Sequence, residues 1–233
     1  MPKKLLTIVA MLVTGVGVGR GDVLVPYNNL GANAGYLFGS AHDSYAQSFT
    51  TGDFSAFGGT LAVKTIKMNL FINTNRGSDT TFDVGIYLNA SSQPGSLVSS
   101  GTLFNSTSSN LGTTAGDVYS IDVTANNFVL ASNTTYWLRV TRGAYNSSTQ
   151  DEIDWTTGAT GAVGSAKQSS DGGATWSNLG ASTDQFGGQI VMVPEPGTML
   201  LGGIAAACGG GGVWWRRRGK AKGAEAVEQP AAV

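Results

Sequence analysis

Apolar and polar residues alternate with a period of two along most of this chain. Ile66, Met68, Leu70 and Ile72 fall on one side of an extended segment, with Lys67, Asn69, Phe71 and Asn73 on the other. The same rhythm sets Phe82, Val84, Ile86 and Leu88 against Asp83, Gly85, Tyr87 and Asn89. It recurs in Tyr119, Ile121 and Val123, and again in Tyr136, Leu138 and Val140 against Trp137, Arg139 and Thr141. A last strand is predicted over about 188–193. No stretch between residues 22 and 193 repeats with the 3.6-residue period of a helix. Turn signals separate the segments: Asn75-Arg76-Gly77, Gln93-Pro94-Gly95 and Asp171-Gly172-Gly173. Many short strands rich in Gly, Ser, Thr and Asn predict an all-β, antiparallel, jelly-roll-like β-sandwich. A single up-and-down barrel is the alternative.

Both ends break this rhythm. Lys3 and Lys4 precede Leu5 to Val13, apolar but for Thr7, and small residues follow from Gly15 to Gly21. That layout predicts a signal peptide over 1–21, cleaved between about Gly19 and Asp22. At the other end, Thr198 to Trp215 carries no charge. As a helix these residues would extend ~27 Å, close to the ~30 Å hydrocarbon core of a bilayer. One C-terminal transmembrane helix is therefore expected. Its glycines (Gly202, Gly203, Gly209 to Gly212) make it a poor permanent anchor. Trp214 and Trp215 suit the membrane interface, and Arg216, Arg217 and Arg218 act as a cytoplasmic stop. Residues 219–233 then form a disordered cytoplasmic tail, and everything before Thr198 lies outside. Pro194 and Pro196 forbid helix on the outer side, so Glu195 sits on a stiff, extended peptide.

Val193-Pro194-Glu195-Pro196, the span to Trp215 and the three arginines together resemble the PEP-CTERM sorting signal, also catalogued as the ice-binding protein C-terminal domain. The resemblance implies recognition of Pro194, Glu195 and Pro196 by an exosortase, a membrane-embedded cysteine transpeptidase. It further implies a Gram-negative bacterium that makes exopolysaccharide, a single-pass inner-membrane intermediate, and final delivery to the cell surface or beyond. The chain departs from that pattern in its Gly209–Gly212 run and in the residues after Arg218. Between the two ends, Gln47-Ser48-Phe49-Thr50, Ile66 to Phe71, Val84 to Gly95, Ala131 to Leu138 and Ser169 to Trp176 resemble the choice-of-anchor R class of surface domains. That likeness speaks to architecture and implies no particular activity.

Charge changes the picture once the ends are set aside. Residues 22–193 hold six Lys/Arg and twelve Asp/Glu, a net charge of −6 hidden by basic termini. Such a body repels nucleic acid and anionic lipid. About 170 residues suffice for one domain with a real core. The one cysteine, Cys208, falls in the predicted span, so the body relies on packing without a disulfide.

Candidate chemistry is sparse. His42 is the only histidine, no Gly-x-Ser-x-Gly elbow is present, and a zinc site would lack ligands. No enzyme activity and no cofactor are expected. Asp151, Glu152 and Asp154 precede Trp155, offering hard oxygens for calcium or a carboxylate pair for glycoside hydrolysis. Alternation through Glu152-Ile153-Asp154-Trp155 instead predicts a strand with its acids in water. Ser169 to Trp176 resembles the Asp-box of sialidases, where the box is structural; a hairpin with Asp171 bonding the turn is predicted. Trp137, Trp155 and Trp176, with Tyr145, are the aromatics suited to stacking on sugars if exposed. Threonines are scattered, so the ice-binding label does not carry over to function. The leading expectation is a structural or adhesive surface protein of exopolysaccharide or biofilm. A carbohydrate-binding module for exopolysaccharide is the alternative, and a glycan hydrolase comes last.

Overall fold

The alternating segments become strands in the computed structural model, which describes residues 24–30, 43–99, 101–143, 149–157, 164–179 and 185–194. Residues 22 to 194 form one compact unit. One sheet has the order β1 (Leu24–Asn28), β14 (Gly188–Val193), β3 (Thr60–Met68), β8 (Tyr119–Asp122), with β9 (Val129–Ala131) also paired to β3. A second runs β13 (Ser177–Asn178), β12 (Ala166–Ser169), β2 (Ser44–Thr50), β10 (Thr135–Arg142), β5 (Thr81–Ala90), β6 (Gln93–Leu97), with β7 (Phe104–Thr107) also on β5. A two-stranded ladder joins β4 (Leu70–Thr74) to β11 (Glu152–Trp155). Every strand pairing in these sheets is antiparallel. The all-β class is as expected.

Two faces close on one sandwich-like core. Leu61, Val63, Ile66, Met68, Ile121, Ile190 and Met192 from the first sheet join Tyr45, Phe49, Phe82, Val84, Ile86, Tyr136, Leu138 and Val140 from the second. Tyr27 of β1 stacks on Phe49 of β2, ring centroids 6.0 Å apart. Each such buried side chain contributes about 1.5–3 kcal/mol of transfer free energy. β3 fills its core face only by breaking phase. Leu61 and Val63 are buried, then Ile66 and Met68, an offset that strict alternation cannot reconcile. The ladder slips where Met192 faces Val63 while Val191 faces Thr65, leaving Lys64 as the extra residue of a bulge. The bulge returns both apolar pairs to the same side.

Three expectations need correction. The predicted strand through residues 66–73 divides at Asn69, whose N–H donates to the Gly187 carbonyl at 3.0 Å while its carbonyl accepts from Thr156 N–H at 3.0 Å. The chain thus leaves one ladder and enters another. Leu88, opposite Tyr136, stays 40% exposed instead of joining the buried row of β5. The acids here do not all face water: Asp154 of β11 and Asp151 just before it are buried, and Ile153 and Trp155 are buried on the face opposite Asp154. β11 is covered on both sides, so alternation of polarity there does not report exposure.

Candidate functional site

The last strand leads directly into the Pro-Glu-Pro element. Val193 of β14 faces Ala62 of β3, and the next residue, Pro194, is buried. Glu195, Pro196, the predicted span 198–215 and Arg216, Arg217 and Arg218 lie outside the described residues, as do the predicted signal peptide, His42, Tyr145 and Cys208. Among the described residues no helix is long and apolar enough to cross a membrane. β14 lies between β1 and β3, so the first and last strands of the body are neighbours, with Leu24 opposite Met192.

Phe186 locks the entry to that strand. Its ring stacks on Trp155 at 4.3 Å and meets Tyr45 edge-on at 5.6 Å. Its N–H donates to Gln47 Oε1 at 3.1 Å. Its carbonyl accepts from the Tyr27 hydroxyl and from Asn29 Nδ2. Trp155 Nε1 donates to the Gly187 carbonyl at 2.8 Å, satisfying a polar group inside the core. Burial pushes the Tyr27 hydroxyl well above the usual tyrosine range, with the Asn29 hydrogen bond opposing it, so it is a neutral donor.

The carboxylates near Trp155 serve the loops beside them. Asp151 accepts from Arg76 N–H and from Ser108 Oγ, both at 2.8 Å. Its own carbonyl accepts from Thr80 Oγ1 at 2.5 Å. Burial raises the Asp151 pKa, but bonds from Arg76, Ser108 and Gly77 outweigh it and hold the group below the usual carboxylate range. Glu152 turns instead to Arg76 at 3.7 Å and accepts from Thr74 Oγ1 at 3.2 Å. These acids therefore diverge, and among the described residues no three His, Cys, Asp or Glu side chains gather as metal ligands.

The Asp-box segment is a hairpin between β12 and β13. Asp171 accepts from Thr175 N–H at 2.8 Å, Thr175 Oγ1 at 2.6 Å and Ser169 Oγ at 2.7 Å. Those bonds, led by Thr175, lower the Asp171 pKa to about 2. Gly172 and Gly173 take φ of +66° and +86°. The turn is stapled to the sheet by two side chains. Asp43 accepts from Gly172 N–H at 2.9 Å, and Arg139 Nη2 donates to the Gly172 carbonyl at 2.5 Å. The Arg139 guanidinium lies 5.0 Å from the Tyr87 ring and 5.4 Å from the Trp176 ring. A Cβ on Gly173 would fall 2.6 Å from the guanidinium carbon, so any larger residue would have to push Arg139 off the turn.

Of the three candidate sugar-stacking tryptophans, two are interior. Trp155 is 0% and Trp137 1% exposed, the latter donating Nε1 to Asn89 Oδ1 at 2.9 Å. Neither presents an open ring face: Trp155 packs within the core, and Trp137, although it shares a sheet face with Tyr87, is itself buried there. Trp176 alone is partly open, beside Arg139 and Tyr87. Those two partners were missed from sequence. Alternation already set Arg139 with Trp137 on the face opposite Leu138, but only the ladder β12–β2–β10–β5 brings the hairpin to them.

Residues 193–218 match the family model described as the PEP-CTERM protein-sorting motif. The motif implies export, processing by an exosortase and surface localisation. No curated protein matches the chain.

Proposed function

We propose that this chain is a non-enzymatic surface or matrix protein of a Gram-negative bacterium, structural or adhesive within exopolysaccharide or biofilm. The carrying observation is the sorting motif at residues 193–218, which begins at the last residue of the final strand of an all-β body. In this reading residues 1–21 are removed on export, Thr198–Trp215 spans the inner membrane briefly, and Arg216–Arg218 hold the cytoplasmic side. An exosortase then acts at Pro194-Glu195-Pro196. The body is of the jelly-roll, choice-of-anchor R kind, and its acidic charge keeps it from nucleic acid. The absence of a workable nucleophile–base set in the sequence supports a role without turnover. Replacing Pro194, Glu195 and Pro196 by alanine tests the reading. A larger, membrane-retained precursor is expected by intact mass and fractionation. Identical mass and fractionation of variant and wild type would refute it.

A further inference from the structure

Three side chains on the larger sheet and its β12–β13 hairpin share one property: each has a hydrogen-bond donor that meets no acceptor among the described residues. Arg139 spends Nε on Thr141 Oγ1 at 2.8 Å and Nη2 on the Gly172 carbonyl and on Ser44 Oγ at 3.4 Å. Its Nη1 protons meet no acceptor among the described residues. The Tyr87 hydroxyl likewise finds none there. Trp176 Nε1 is buried without a partner among the described residues. Leaving the buried Trp176 Nε1 unpaired costs about 1–3 kcal/mol, and the partly open Arg139 and Tyr87 donors beside it can turn to an acceptor-rich occupant. Its other component is aromatic: the Tyr87 and Trp176 rings flank the guanidinium and are both partly open. Aromatic faces with a few fixed polar groups are the usual lining of a small-molecule site.

We propose that Tyr87, Arg139 and Trp176 form a binding site for a neutral, hydroxyl-rich glycan. The sugar's C–H faces lie against the rings, and its hydroxyl and ring oxygens accept from Arg139 Nη1 and the Tyr87 hydroxyl. Two observations select a neutral sugar over an acidic one. First, a carboxylate is gripped best by two parallel N–H groups on adjacent nitrogens, and here Nε and Nη2 are already committed to the sheet and the turn. Second, carboxylates surround the patch. Asp43 is bonded to the same turn, Asp171 lies within it, and Asp83 is close enough to push the Tyr87 pKa up, behind the larger effects of burial, which raises it, and of Arg139, which lowers it. Together they repel a polyanion. The proposal goes beyond the sorting reading and stands apart from it, because binding is measured on purified protein whether or not processing occurs.

Affinity electrophoresis tests it. The full chain, extracted in mild non-ionic detergent, is run through gels containing a neutral β-glucan, a neutral galactomannan or a polyuronate. Retardation is expected in at least one neutral gel and not in the polyuronate gel. Trp176→Ala should weaken that retardation at least roughly tenfold, the scale of a lost stacking contact of about 1.4 kcal/mol or more. Tyr87→Phe, which keeps the ring and removes only the hydroxyl, should weaken it about 2–10-fold. If Trp176→Ala unfolds the hairpin, Tyr87→Phe decides alone. Free mobility in both neutral gels, retardation only by polyuronate, or unchanged retardation of folded Tyr87→Phe each overturns the site.

Discussion

Removing the Phe186 ring tests how the final strand is held. Phe186→Ala deletes a side chain with 0% exposure, stacked on Trp155 at 4.3 Å and edge-on to Tyr45 at 5.6 Å. Truncation of a buried phenylalanine costs about 3–5 kcal/mol, and each aromatic pair adds about 0.5–1.5 kcal/mol to what burial alone supplies. The backbone bonds of Phe186 to Gln47, Tyr27 and Asn29 survive the change, so the loss stays at side-chain scale. About 4 kcal/mol is a large share of the about 5–15 kcal/mol that keeps a domain folded. In a body of this size it lowers the melting midpoint by roughly 8–16 °C. Phe186→Leu retains most of the apolar volume and loses only the ring pairs, so about 1–3 kcal/mol is expected. Urea unfolding followed by near-ultraviolet circular dichroism, which reports the Trp155 environment, measures both. A Phe186→Ala loss below about 1 kcal/mol, or equal losses for Ala and Leu, would refute the claim that ring packing secures β14.

Other consequences follow from individual bonds. Asp151 has a depressed folded pKa, so its contribution is complete above its unfolded value near 3.8 and is lost as pH falls through the lower folded value. Asp151→Asn should therefore reduce stability at neutral pH and flatten the acid limb of a stability–pH profile. Asp171 follows the same sign, its turn losing its carboxylate bonds between pH 3.8 and about 2; Asp171→Asn should raise amide exchange at Thr175 at neutral pH. Gly172→Ala and Gly173→Ala separate backbone strain from contact. Both residues have positive φ, but an added Cβ meets nothing within 4 Å at Gly172 and the Arg139 guanidinium at 2.6 Å at Gly173. Thermal melts should show a loss of about 1 kcal/mol for the first and clearly more for the second.

Much of the body was legible because period-two alternation is a property of neighbours in sequence. The rows Phe82–Val84–Ile86 and Tyr136–Leu138–Val140 could be placed on one buried face before any pairing was known. The sorting motif was legible for a similar reason: its prolines, uncharged stretch and arginines act through local backbone stiffness and local polarity, and residues 193–218 match as a block. The Asp-box turn, too, is closed by residues within a few positions of one another.

Tertiary structure alone decided what each face meets. A strand's alternation states that two sides differ, not that one is wet, and β11 is buried on both. The bulge at Lys64 could not be read, because the phase of β3 is settled by its pairing with a strand more than a hundred residues later. Trp137 and Trp155 were suited to sugar stacking only if exposed, and exposure is decided by the fold, which buries both. Arg139 and Tyr87 gained a partner in Trp176 only when β12 paired with β2 and carried its hairpin across. Local sequence sets conformational preference residue by residue, whereas burial and donor satisfaction belong to groups brought together from distant parts of the chain.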